Sequence, residues 1–218
     1  MDQETAAREA VLAAARGMLD RGLTSGTSGN VSARLPDGRI LITPSALPYD
    51  EMTTADLVLL DAAGEPLAAP RGPGRAPSSE RHLHLACYRA FGEVGAVLHS
   101  HAPYASMFAA ARQPVPAVID EAVLFLGGEI PVTDYAVSGS PEVGTNAVRV
   151  LADRGSALLA SHGLVTIAAT PAQALHDAVV AEHCARVAWG ARQLGGHAAL
   201  PAAALRQMAA FYRRAREG

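Results

Sequence analysis

Apolar residues recur along the N-terminal segment Glu4 to Leu19 at Ala7, Val11, Leu12, Ala15 and Leu19, the spacing of one helical face. Gly22 follows as a stop signal. The segment TSGTSGNVSAR is Gly-rich and leads into a short strand. Arg39 to Thr43 reads as a second strand, ended by Pro44, and Asp37-Gly38 before it predicts a hairpin. Leu57 to Leu60 is a further strand. Ala68 to Ser79, with three prolines and two glycines, reads as a loop, and Ser78 or Ser79 is expected to cap a helix over Glu80 to Arg89. Gly95 to Leu98 reads as a buried strand, Pro103 to Arg112 as a helix opened by proline, Ile130-Pro-Val as a short strand and Pro141 to Asp153 as a helix. Ala157 to Ala160 and Leu164 to Ala168 are strands; helices over about Pro171 to Gln193 and Ala202 to Arg216 complete the chain. The irregular alternation of strands and helices, with an early hairpin, predicts a layered α/β protein with a mixed or antiparallel sheet rather than a doubly wound parallel one.

The length of 218 residues fits a single domain, 1–218, able to bury roughly 70% of the surface the unfolded chain exposes. Half of the residues are hydrophobic and 18% are charged, which excludes a disordered chain. A net charge of −3 offers no field for nucleic acid or an anionic membrane. All 18 basic residues are arginine. The absence of lysine excludes Schiff-base aldolases, PLP enzymes and P-loop NTPases, each of which needs the lysine amine. Cys87 and Cys184 are isolated and form no CxxC. The opening MDQETAAREA is acidic and polar, unlike a signal peptide, so a cytoplasmic location is expected. No apolar run reaches the ~18 residues of a membrane span.

Chemistry concentrates on a few histidines. His99 and His101 follow the strand GAVL as an H-x-H pair. On an extended chain, residues two apart share a face, so the two imidazoles can share one metal ion. His162 holds the equivalent place after the strand ALLA. If the two strands are neighbours, three imidazoles converge, a set that suits Zn2+ and leaves a fourth position for a carboxylate, water or substrate. Spacing alone leaves a packing role equally open. His82 and His84 lie two apart on a helix, face different ways and read as packing or surface residues; His176, His183 and His197 show no partner pattern. Glu80, at a helix start, either complements the helix dipole or serves as a metal ligand or proton-transfer base. Ser28 to Ser32 and Thr43 to Pro48 read either as turns or, through Gly29, Asn30 and Ser45, as neutral anion donors, with Ser78 and Ser79 beside the helix start.

Taken together, GLTSGTSGNVSAR, ILITPSALPYDEM, APSSERHLHLACY, AVLHSHAPYAS, IPVTDYAVSGS and LLASHGLVTIA resemble the class II aldolase/adducin family, in order, from Gly22 to about Gly196. The resemblance implies a three-layer α/β/α sandwich with a mixed, mainly antiparallel central sheet. It implies a homotetramer with active sites at subunit interfaces and a small phosphorylated sugar as substrate. A divalent metal (zinc, or Mn2+, Co2+ or Fe2+) would be held by His99, His101 and His162. Glu80 would be a fourth ligand and the acid/base, and a phosphate would sit among Gly29, Asn30, Ser45, Ser78 and Ser79. The implied reaction is reversible cleavage of a small ketose 1-phosphate, fuculose-1-phosphate-like, to dihydroxyacetone phosphate and an aldehyde through a metal-stabilised enediolate. The same scaffold serves 4-epimerases, dehydratases and decarboxylases, and a non-catalytic oligomerisation module like the adducin head. Two positions depart from the family pattern and a third matches it. A tyrosine that protonates the leaving aldehyde is replaced, in PAVIDEAVLFLGG, by Asp120 with Glu121 beside it; Ala46 stands at a family glycine; and Tyr212 is the C-terminal tyrosine expected to close over the site.

Overall fold

The computed structural model describes residues 2–67 and 76–217, so most of the loop expected over 68–79 lies outside the described residues. Helix α1 (Gln3–Asp20) opens on Asp2, whose carboxylate accepts from the Thr5 N–H, and it buries Val11, Ala14, Ala15 and Met18. Strands β1 (Asn30–Arg34) and β2 (Ile40–Ile42) form the expected hairpin, with Gly38 at its turn at φ +86°. A single 3-10 turn (Thr54–Asp56) precedes β3 (Val58–Leu60). Then follow α2 (Arg81–Ala90), β4 (Ala96–Ser100), α3 (Pro103–Ala110), α4 (Asp120–Leu126) and α5 (Pro141–Leu151). The hairpin β5 (Ser156–Leu159) and β6 (Gly163–Ala168) leads to α6 (Pro171–Gln193) and α7 (Ala202–Glu217).

The sheet order is β3-β2-β1-β4-β6-β5 and every ladder is antiparallel; one isolated bridge, Val132 to Leu158, is parallel. Alternation along the strands divides the apolar residues between two cores. Val31, Ala33, Leu41, Ala96 and Leu98 pack with α1, α3, α4 and α6. Ile40, Ile42, Val97, Val165 and Ile167 pack with α2 and α5. The three-layer α/β/α sandwich follows from this division, because each face of the sheet must be covered. Among the described residues no helix is long and apolar enough to cross a membrane.

Four local expectations change. Ile130 and Val132 make only isolated bridges, to Val115 and Leu158, so Ile130-Pro-Val is not a strand of the sheet. Helix α4 lies in a run that was not expected to be helical; Asp120 and Glu121 in its first turn and Gly127 at φ +84° as its left-handed C-cap are the signals that form it. The N-cap of α2 is Glu80 itself, not Ser78 or Ser79, and Ser78 Oγ accepts from the Glu80 N–H at 3.3 Å. Strand β4 runs to Ser100, so His99 lies inside it rather than at its exit.

Candidate metal centre

The α2/α5 face of β4 is the face of Val97, and the two-residue period puts His99 and His101 on it as well. His162 arrives by a different route. Strand β5 is not beside β4; β6 lies between them and pairs directly with β4, His99 opposite Val165 and Ser100 opposite Leu164. The turn before β6 therefore carries His162 to the same end of the sheet as His101. Ser161 takes a left-handed conformation there, at φ +56°, and donates its N–H to Ala109 O.

The three rings meet with centroids 4.6–5.1 Å apart. His99 is fully buried and its Nδ1 side meets Leu164 O at 2.9 Å, which turns Nε2 to the cluster. His99 Nε2 and His101 Nε2 are 3.1 Å apart. Glu80 completes the group, with Oε2 3.2 Å from His99 Nε2 and Oε1 3.3 Å from His162 Nε2. Bonds of ~2.0–2.1 Å in a tetrahedral zinc site put ligand atoms roughly 3.3–3.4 Å apart, so these donors have the spacing of one small divalent cation. Burial, with the neighbouring imidazoles, lowers His101 to about 4 and lowers His162 as well, the direction that favours the unprotonated nitrogens ligation requires. Burial opposes the charge of Glu80. His99, His162 and the Asn30 amide outweigh it and hold the carboxyl well below the usual carboxylate range.

The anion donors expected from the sequence are brought together beside this centre. Gly29 has φ +80°, and a Cβ there would stand 2.7 Å from His99 O, so only glycine lets the loop lie against β4. The buried Tyr49 hydroxyl donates to Gly29 O at 2.6 Å and anchors the same loop. Pro44 bridges to Pro77, with Ser45 N–H to Ala76 O and Ser78 N–H to Thr43 O, which sets Ser45 next to Ser78 and Ser79. Ala46, where the resemblance implies a glycine, holds a left-handed conformation at φ +57°. Asn30 pairs with His99 across β1 and β4, but its side chain is committed inside the protein: Nδ2–H donates to Glu80 Oε2 at 2.9 Å and Oδ1 accepts from His84.

Asp120 is exposed in the first turn of α4, and among the described residues no hydrogen bond joins it to the cluster of its own chain. Tyr212 is buried against Gly127 and Gly155, and its hydroxyl accepts from Arg216. It lines a cavity of 470 Å³ with Val94 and Ala168, at the end of β4 and β6 away from the histidines, so it does not close over the cluster of its own chain. Two partners of the site were missed. Ser138 Oγ donates to Glu80 Oε1 at 3.0 Å, and His84 is wholly buried behind Asn30.

The fold and the centre define a three-layer α/β/α protein with a three-histidine cluster that could hold one metal ion. The class II aldolase and adducin N-terminal domain family matches residues 9–189, and the chain belongs to that family. It is 36% identical over 197 residues to a 5-methylthioribulose-1-phosphate/5-deoxyribulose-1-phosphate aldolase of Rhodospirillum rubrum, covering 90% of this chain and 86% of the relative. It is 33% identical to a 5-deoxy-D-ribulose 1-phosphate aldolase of Bacillus thuringiensis serovar kurstaki, covering 89% of each. Among solved structures, an L-fuculose 1-phosphate aldolase superposes with a TM-score of 0.88 at 28% identity, covering 95% of this chain and 96% of that one.

Proposed function

We propose that the protein is a zinc-dependent aldolase that reversibly cleaves a ketose 1-phosphate to dihydroxyacetone phosphate and a short aldehyde. The substrate class favoured by its relatives' names is a 5-deoxypentulose 1-phosphate, bare or carrying a 5-methylthio group. The observation that carries the reading is the convergence of three imidazoles and Glu80 at one end of β4 and β6. His99, His101 and His162 would hold a divalent cation, which would supply Lewis acidity for the ketose carbonyl. The donors at Gly29, Ser45, Ser78 and Ser79 take the phosphate, which needs no lysine.

In the condensation direction Glu80, held ionised, removes a proton from the hydroxyl-bearing carbon of dihydroxyacetone phosphate. The electron pair left there forms the new carbon–carbon bond to the aldehyde, and the resulting alkoxide takes up a proton. We assign that second transfer to Asp120 of a neighbouring subunit, since it sits exposed on α4. Cleavage is the reverse, with Glu80 returning its proton to carbon. The exposed Tyr135 and Val137, on the loop that carries Ser138 to Glu80, are the apolar surface that a tetramer with interfacial sites would cover. The cytoplasm is the matching location.

The test is product identification on 5-deoxyribulose 1-phosphate, 5-methylthioribulose 1-phosphate and fuculose 1-phosphate with the zinc-loaded protein. Dihydroxyacetone phosphate and the matching aldehyde are expected. An epimerised, dehydrated or decarboxylated product would assign the same centre to another reaction. No turnover and no bound metal would leave an oligomerisation module.

A further inference from the structure

Behind the metal centre lies a file of buried polar side chains that the reaction does not account for. Strand β1 directs Asn30 and Ser32 to the α2 face of the sheet, because Val31 and Ala33 pack on the other. Glu80, His84 and Tyr88 follow one another at four-residue intervals along α2. Two strand residues advance about 6.6 Å and four helical residues about 6.0 Å, so the two rows interleave. The contacts alternate accordingly: Tyr88 Oη to Ser32 Oγ at 2.6 Å, Ser32 Oγ to His84 Nδ1 at 2.6 Å, His84 Nε2 to Asn30 Oδ1, and Asn30 Nδ2 to Glu80 Oε2 at 2.9 Å.

Only one placement of protons satisfies this file when Glu80 is ionised. The carboxylate accepts, so Asn30 must turn its NH2 to it and its carbonyl to His84. His84 Nε2 must then carry the proton. Burial keeps the ring neutral, its pKa lowered to about 3, so Nδ1 is a lone pair and accepts from the Ser32 hydroxyl. Ser32 Oγ in turn accepts from the Tyr88 hydroxyl. We propose that Tyr88, Ser32 and His84 are positioning residues, a one-way hydrogen-bond relay that locks the Asn30 amide with its NH2 on Glu80. Without the relay the amide can reverse and set its oxygen against the carboxylate, displacing the group that must meet the substrate carbon. The kinetic consequence rests on the aldolase reading; the direction of the relay does not.

The experiment combines nitrogen-15 NMR of histidine-labelled, zinc-loaded full chain with steady-state kinetics of Ser32→Ala and Ser32→Thr. The unmodified protein is expected to show His84 as the Nε2–H tautomer, and Ser32→Ala is expected to lose that preference. Its kcat for dihydroxyacetone phosphate should fall ~10–100-fold, the usual effect of removing a group that orients a metal-site residue, with zinc content and KM unchanged. Ser32→Thr keeps the hydroxyl and should recover most of the loss. Protonated Nδ1 in the unmodified chain, or Ser32→Ala with unchanged kcat, overturns the relay. An unmodified chain that forms no dihydroxyacetone phosphate from any of the three sugars overturns the aldolase reading instead, and the tautomer then decides the relay alone.

Discussion

Gly163 opens β6 against β4, directly after His162, and its replacement by alanine tests the metal centre through sterics alone. Its φ is ordinary, so no backbone strain enters. A Cβ at this position would lie 2.4 Å from Ser100 O and 3.2 Å from both His101 Cδ2 and His99 Cε1. An unstrained carbon–oxygen contact is about 3.3 Å, so β4 and β6 must part by roughly 0.9 Å at the residue flanked by two ligands. Overpacking of this kind costs about 1–3 kcal/mol, a fall in melting temperature of roughly 2–12 °C for a chain of this length. The metal should suffer more than the fold. Ligand distances tolerate only ~0.2 Å, and His99 and His101 move with Ser100, so zinc affinity is expected to drop at least ~10-fold. Gly190, in α6, has nothing within 4 Å of the equivalent Cβ, so Gly190→Ala is the control and should be neutral or stabilising by up to ~1 kcal/mol. The assay is thermal melting of chelated protein beside a zinc titration of the same sample. Zinc affinity equal to the unmodified protein in Gly163→Ala would refute the placement of the ion between these strands.

Glu80→Gln should retain most of its metal on the three histidines while kcat falls ~10²–10⁴-fold, the range for losing a general acid or base; measured metal content beside product formation checks it. Chelation should abolish turnover, and restoring free zinc to ~100 times its dissociation constant should return about 2.7 kcal/mol of stability, read as a melting shift that an unbound ion cannot produce. The metal-free protein should lose stability as pH falls from about 6.5 towards 3, because the unfolded chain takes up a proton that buried His84, lowered from 6.5 to about 3, refuses. The loss is on the order of a few kcal/mol, and urea melts at stepped pH would show it as a falling midpoint; a flat midpoint would mean that His84 is charged in the fold.

The parts of the site that could be read from the chain are those governed by a single local period. His99 and His101 obey the strand period directly, and the buried run before them is enough to place them together. His162 lies sixty-one positions from His101; its convergence depends on β6 returning between β5 and β4, a fact of sheet order that no local pattern contains. Asn30 reads as an anion donor while its surroundings are unknown, and becomes a tether for Glu80 once β1 is set beside α2. His84 and His82 lie two positions apart, a spacing that on a helix separates them. The informative spacing was four, from Glu80 to His84 to Tyr88, and it acquires meaning only opposite Asn30 and Ser32. Helix α4 escaped because seven residues are too few to show a period, although its end signals were present.

The interleaving of β1 with α2 also explains why the carboxylate of the site belongs at the start of α2 and nowhere deeper in it. Strand β1 reaches the cluster at Asn30, opposite His99, and every further step along it leads away from the ligands. A carboxylate one helical turn later would stand where His84 stands, wholly buried against Ser32 and out of reach of the imidazoles. At the N-cap, Glu80 can face His99 and His162 with its two oxygens while Asn30 and Ser138 each hold one of them. The bridge between Pro44 and Pro77 brings Ser78 to the same end of the sheet two residues earlier. On the proposed reading, proton transfer and anion binding would sit side by side where the loop enters α2, with the polar support of Glu80 running back along the first two turns of the helix.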